Sequence, residues 1–188
     1  KDKDVVNFKA NEAHIRTYVV KDGLEHRVDM HLRKSKSKGI AINGQKIKKA
    51  AELLGLLNIV FFSPEDLNII KNGPGERRRF IDLELCQLDR IYLSDLTRYN
   101  KILAQRNKLL KDINFNPALQ DTLCVWDMQL LEYGRRIIQK RKEFIFELNE
   151  IISDIHNKIS GGKENLELIY EPSVDDIFFE DELCKVKQ

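Results

Sequence analysis

The sequence predicts an α+β fold in which a β-hairpin-rich lobe precedes a long antiparallel helical arm. Three observations predict it. Two alternating runs joined by a turn lie near the N-terminus, the periodicity becomes helical at about residue 76, and two amphipathic stretches are too long to bury their stripes alone. With 188 residues, 42% of them apolar, the chain is long enough to bury a core, and one or two domains are expected.

EAHIRTYVV (12–20) and EHRVDMHLR (25–33) alternate as strands do, and KDGL between them supplies a hairpin turn. The basic KSKSKG (34–39) leads into GIAI, after which Asn43-Gly44 signals another tight turn. IKKAAELLGLL (47–57) spaces Ile47, Ala50, Ala51, Leu54 and Leu57 as a helix would, and NIVFF (58–62) reads as a short buried strand. Ser63-Pro64-Glu65-Asp66 is a helix start, with Ser as N-cap, Pro at the first helical position and acids in the first turn.

After Gly73-Pro74-Gly75 the chain becomes almost wholly helical. Phe80, Leu83, Leu88, Ile91, Leu96, Tyr99, Leu103, Leu110 and Ile113 follow a helical stripe until Asn114–Pro117 breaks it. A second stripe runs from about Asp121 to Ile159 through Leu123, Trp126, Leu130, Ile137, Phe144, Leu148, Ile151 and Ile155, with Gly134 as a point of local bending. These helices would be roughly 35 and 55 Å long, and an antiparallel pair hides both stripes. SGGKEN (160–165) ends the run, LELIYEP (166–172) reads as a returning strand, and the acidic tail from 175 has no assigned element.

Charge is uneven along the chain. Residues 1–80 hold 17 Lys/Arg against 10 Asp/Glu, residues 81–160 hold 12 of each, and residues 161–188 hold 3 against 8. A basic leading part suits a phosphate-rich partner, and equally a solvated surface. No run approaches the roughly 18 apolar residues of a membrane span, and no apolar signal region opens the chain. The first residue is not methionine, so a piece of a longer protein is expected. Cys86, Cys124 and Cys184 are odd in number and lack any CxxC, which argues for a reducing compartment over a disulfide framework. His14, His26, His31 and His156 show no ligand spacing with them, and no metal site is expected.

Catalytic motifs are missing as well. The nearest approach to a phosphate-cradling P-loop, Gly162-Lys163, has Asn157 where the first Gly belongs and Glu164 in place of Ser/Thr. No Walker B strand end, nucleophile triad or placed carboxylate pair appears, and Asp175-Asp176 sits in the tail. The chain by itself is expected to be inactive as an enzyme.

The chemistry-bearing feature is GPGERRRFID (73–82). Helix N-termini favour anions, yet Arg77, Arg78 and Arg79 crowd this one. Pairing of Arg78 or Arg79 with Asp82 would account for one arginine; the alternative gives Arg77 and Arg78 an external or interdomain anion. KSKSK, Lys46/Lys48/Lys49 and the segment Arg135, Arg136, Lys140, Arg141, Lys142 read as solvated faces, and Tyr92, Tyr99 and Trp126 as core.

FFSPEDLNIIKNGPGERRRFIDLEL (61–85), followed by YLSDLTRYNKILAQRNKLLKDI (92–113), resembles the RecF family of bacterial DNA repair ATPases of the ABC/SMC kind. The matching positions are Pro64-Glu65-Asp66, Gly73-Pro74, Arg77-Arg78, Phe80, Ile81, Asp82 and Gln105-Arg106-Asn107. The family's Walker A, signature and Walker B motifs are absent, so the resemblance implies an internal piece. It would comprise part of an ABC-type ATPase lobe (1–73), a helical lid or arm (74–160) and a return segment (161–188). For the parent it implies ATP and Mg2+ as cofactors, neither expected to bind well to this piece. It further implies binding to gapped, single-stranded and duplex DNA, an ATP-dependent homodimer, RecR and RecO as partners, RecA indirectly, an SOS role and a bacterial cytoplasmic location. By position it implies nucleotide sensing for Ser63, Pro64, Glu65 and Asp66, and a DNA, phosphate or interdomain role for Arg77 and Arg78. Gly73, Pro74, Phe80, Asp82, Gln105, Arg106 and Asn107 are implied structural. A structural or dimerisation arm with no DNA contact is the alternative.

Overall fold

The computed structural model describes residues 2–175 and 177–185. Asp176, and the last three residues of the expected return segment, lie outside the described residues. The chain divides into two compact units. One runs to Asn72 and includes Cys86–Leu88; the other comprises Gly73–Leu85 and the residues from Asp89 onward.

The first unit is built on a four-stranded antiparallel sheet of order β1-β2-β3-β4. Strands β1 (Glu12–Lys21) and β2 (Leu24–Arg33) pair along their whole length. Their turn has Asp22 at φ 52° and Gly23 at φ 75°, the left-handed pair whose twist matches that of the strands. Strands β3 (Gly39–Ile42) and β4 (Gln45–Lys46) repeat the device at Asn43 and Gly44. Alternation and register put Val28, Met30 and Leu32 on one face with Ile40 and Ile42. Val28, Leu32 and Ile40 are buried there, as is Val6 from the 3₁₀ turn Asp2–Val5 and its flank. The opposite face is charged, with Asp29 held by Arg16 at 2.5 Å and by Arg27 at 2.9 Å.

Two expectations for this unit are corrected. Residues 47–57 form a single 3₁₀ turn, Ala50–Leu53, in place of a helix. So short a helix is marginal, and Gly55 takes a left-handed φ of 77° that ends it, its carbonyl accepting from the Lys21 ammonium. Residues 58–62 are neither strand nor buried: Val60, Phe61 and Phe62 are 95%, 79% and 77% exposed. A strand needs a neighbouring backbone, and among the described residues only Ile59 finds a substitute. The Gln87 side chain accepts from its N–H at 2.8 Å and donates to its carbonyl at 3.3 Å. The SPED start is observed as a 3₁₀ turn, Pro64–Leu67, running into α1 (Asn68–Lys71).

The second unit is helical. Helix α2 (Pro74–Leu88) contributes all but its last turn, followed by α3 (Arg90–Ile113), a 3₁₀ turn at Pro117–Thr122, α4 (Leu123–Ser160) and α5 (Phe179–Lys185). Helical periodicity runs through Asp89, but the chain breaks there: Asp89 is extended, and its carboxylate accepts from Ile91 and Tyr92 N–H at 2.7 and 3.2 Å as the cap of α3. Helices α3 and α4 form the expected antiparallel pair, since Arg98 meets Tyr133 while the later Arg106 meets the earlier Asp127. Tyr92, Ile102, Leu123, Leu130, Ile137 and Ile138 make its core, with Tyr99 and Trp126 half-buried. At 24 and 38 residues, about 36 and 57 Å, the two helices differ in length. The C-terminal turns of α4 therefore outrun α3, and the stripe residues Ile151, Ile155 and Ile159 are exposed instead of buried.

Gly134 serves close packing: a Cβ built there would lie 2.2 Å from the Phe179 ring of α5. Gly161, left-handed at φ 65°, ends α4 by donating to the Asn157 carbonyl. Residues 166–172, expected as a returning strand, belong to no strand; the Asn149 amide accepts from Leu168 N–H at 2.8 Å and donates to its carbonyl at 2.7 Å, standing in for a strand neighbour. The tail, unassigned in the sequence, contains α5. The α+β class expected from the sequence is the class observed.

Candidate functional site

In the first unit, Ser63 is extended and its N–H donates to the Asp66 carboxylate at 2.6 Å, while Asp66 N–H donates to the Ser63 carbonyl at 3.0 Å. The Asp66 carboxylate thus supplies the side-chain half of a capping box, and the backbone bond closes the 3₁₀ turn. Glu65 is exposed, and its carboxyl is held below the usual range first by the Ser63 side chain and then by its own N–H. Ser63→Ala should therefore raise the Glu65 titration midpoint toward the ordinary carboxylate value, read from its side-chain resonances against pH by NMR. Because the folded value is the lower one, whatever stability this bond adds is present above the ordinary value and lost as pH falls through the depressed one. An unchanged midpoint would assign the shift to the backbone alone.

In the second unit, Gly73 is the extended N-cap of α2 and Pro74 its first residue. Neither Gly73 nor Gly75 would bring an added Cβ within 4 Å of another atom, so both face open space. Arg77, Arg78 and Arg79 are all exposed, and Phe80 is 40% exposed. Glu76 is the one acid in that first turn. Among the described residues, neither the Arg78 nor the Arg79 side chain makes a hydrogen bond or ion pair. Of the two readings the sequence left open, the pairing of Arg78 or Arg79 with Asp82 is not the one observed.

Asp82 is taken by Arg141 of α4. The guanidinium Nη2 donates to both carboxylate oxygens at 2.7 and 2.9 Å, and Nε donates to one of them at 2.9 Å and to the Tyr92 hydroxyl at 3.1 Å. That hydroxyl donates in turn to Asp82 at 2.5 Å. Burial pushes the Tyr92 hydroxyl above the phenol range, and the bond to Asp82 adds to this. Burial opposes the Arg141 charge, yet Tyr92 and Asp82 outweigh it and hold the guanidinium above its ordinary value. A charge-assisted fork of this kind ties α2, α3 and α4 together.

Gln105, Arg106 and Asn107 do different things. Gln105 and Asn107 are exposed, whereas Arg106 is buried with Nε 2.6 Å from the Asp127 carboxylate. The basic segment of α4 divides as well: Arg136 lies on the surface with Glu132, Lys142 pairs with Asp175, and Arg141 turns inward. Reading that whole segment as a solvated face missed Arg141. A signal was there, since Asp127, Leu130, Gly134, Ile137, Arg141 and Phe144 repeat at alternating spacings of three and four, the positions of a buried helix face. A groove of about 400 Å3 between α3 and α4 carries both signs, Asp89 and Asp95 beside Arg136 and Lys140, and so is not a dedicated anion site.

No family model matches the chain. It is 71% identical over 187 residues to the DNA replication and repair protein RecF of Agathobacter rectalis, covering 100% of this chain and 52% of the relative. To RecF of Clostridium botulinum (strain Loch Maree) it is 44% identical over 176 residues, covering 94% and 48%. Among solved structures it matches the recombination mediator protein RecF-ATPrS in the RecFOR pathway, with a TM-score of 0.82, 34% identity and coverage of 99% of this chain and 52% of that one. A RecF-ATP structure gives the same TM-score at 32% identity. The chain spans about half the length of the curated relatives it matches. Over the half that it spans, in sequence and in fold, the chain belongs to the RecF family.

Proposed function

We propose that this chain forms part of a DNA repair and recombination protein that binds ATP and DNA. In that reading residues 1–73 belong to an ATPase lobe, residues 74–160 to a helical lid or arm, and residues 161–188 to a return segment. The observation that carries the proposal is the exposed arginine turn of α2 on a chain with a RecF-like sequence throughout. Three guanidinium groups at a helix N-terminus oppose the helix dipole by some tenths of a kcal/mol each, which a phosphate partner would reverse. Arg77 and Arg78 contact that phosphate, and Ser63–Asp66 lie in the loop that responds to ATP and its Mg2+. Gapped, single-stranded and duplex DNA, RecO and RecR, RecA at one remove, an ATP-dependent homodimer, an SOS role and a bacterial cytoplasmic setting complete the reading. What supports these is the relatives' naming as replication and repair proteins and the solved structures' naming of ATP and the RecFOR pathway. Among the described residues, no helix is long and apolar enough to cross a membrane.

The test is a salt titration of the 188-residue chain against labelled gapped DNA. Binding should weaken steeply with salt, and Arg77→Ala with Arg78→Ala should lower the log–log slope by about two while circular dichroism is unchanged. Normal affinity and slope in the folded double variant would remove the arginines from the interface. A second reading, an arm for dimerisation without DNA contact, is favoured by the exposed Phe146, Ile151, Ile155 and Ile159 on the overhang of α4. It predicts no DNA binding at low salt.

A further inference from the structure

We propose that Glu12, His14 and His31 form a binding site for a borderline divalent transition metal of the Zn2+ class, on the charged face of the β1–β2 hairpin. Sequence spacing gives no hint of it, because 17 positions separate the two histidines. Strand register brings them together: His14 is the direct partner of His31. Counting back from Lys21↔Leu24, the pair that closes the two-residue turn, His14↔His31 falls at a position without backbone hydrogen bonds, where opposed side chains come nearest. The two rings stack with centroids 4.0 Å apart and planes 20° apart. Glu12, two residues before His14 on the same face, places its carboxylate 2.7 Å from His31 Nε2. One donor atom from each of the three residues lies within 4.8 Å of the other two.

Two imidazoles and a carboxylate match the preferences of Zn2+, Ni2+, Co2+ and Cu2+, and not those of Mg2+ or Ca2+, which take oxygen ligands. Bonds of about 2.1 Å in a tetrahedral site need donor atoms roughly 3.4 Å apart. The side chains reach this by small rotations, being exposed or half-exposed. The Glu12–His31 hydrogen bond accounts for two of the three residues, but the His14 ring makes no hydrogen bond among the described residues and is stacked on His31. Of the neighbouring cations, Arg16 holds Asp29 at 2.5 Å, while Arg33, opposite Glu12 in the strand register, donates to the Ser37 carbonyl at 3.0 Å. Three protein ligands leave a fourth position for water, and the bound ion fastens the start of β1 to the end of β2.

The experiment uses the tag-free 188-residue chain stripped with a chelator, titrated with Co2+ and then Zn2+. Expected are the visible absorption bands of four-coordinate Co2+, their displacement by Zn2+, and a higher melting temperature with Zn2+. His14→Ala and His31→Ala should each weaken binding at least about tenfold, and His26→Ala with His156→Ala should leave it unchanged. On the unsubstituted protein, Co2+ should shift and broaden the ring resonances of His14 and His31 ahead of the other two histidines, a readout that does not depend on any variant folding. Absence of binding, or binding and broadening that follow His26 or His156, would overturn the proposal.

Discussion

Arg106→Ala lowers the unfolding free energy of the helical unit by about 3–5 kcal/mol, the range for breaking a buried ion pair from one side. The two side chains are 5% and 10% exposed, with N and O 2.6 Å apart, so water cannot replace the guanidinium beside Asp127. Replacing both partners by leucine is expected to recover most of the loss, since two desolvated charges then disappear together. Urea denaturation followed by helical circular dichroism measures both. A single substitution costing under about 1 kcal/mol would mean that the pair is solvated, contrary to its burial. Arg106 thus acts from inside the helix pair, whereas its sequence neighbours Gln105 and Asn107 remain open to solvent.

The second large effect is expected at Asp82. Asp82→Ala leaves Arg141 without its carboxylate and Tyr92 without its acceptor, in a site whose charged side chains are 13% and 22% exposed. A cost of about 2–4 kcal/mol is expected, below that of the fully buried pair because some solvent reaches this one. Asp82→Asn keeps the shape and an acceptor and should cost about half as much. The informative comparison is Arg141→Ala against Arg78→Ala. The first should match Asp82→Ala, and the second should fall within about 0.5 kcal/mol of the unsubstituted protein. If Arg78→Ala proved the more damaging, Asp82 would belong to the arginine turn and Arg78 would not be open to a phosphate. This comparison therefore bears on the proposed DNA contact as well as on stability.

What the sequence by itself determined are the features whose causes lie within a few residues. Asp22-Gly23 and Asn43-Gly44 turn the hairpins because these residue types accept positive φ. Ser63-Pro64 starts a turn and Gly161 ends α4 through bonds to adjacent backbone groups. The helical stretches are legible because each stripe repeats over many turns, so a pair of long helices follows from periodicity alone. Of the candidate site, the exposed arginine turn could be located, because the Gly-Pro-Gly break and the three arginines are contiguous.

Tertiary structure decided whatever depends on a distant neighbour. Residues 58–62 have strand composition, yet a strand exists only where a second backbone pairs with it, and among the described residues only Ile59 finds a substitute, in Gln87. Local rules pair Asp82 with Arg78 or Arg79, three or four positions away. The fold instead delivers Arg141 from 59 positions away, because a buried, forked contact beside Tyr92 outweighs a solvated one worth tenths of a kcal/mol. The outward fate of Ile151, Ile155 and Ile159 follows from the unequal lengths of α3 and α4, which neither stripe encodes alone. His14 and His31 are strangers in sequence and stacked partners in the sheet. Local chemistry specifies turns, caps and periodicity; which charges and rings meet is set by strand register and helix packing, since Coulomb and ligand interactions act over a few ångströms of space regardless of chain separation.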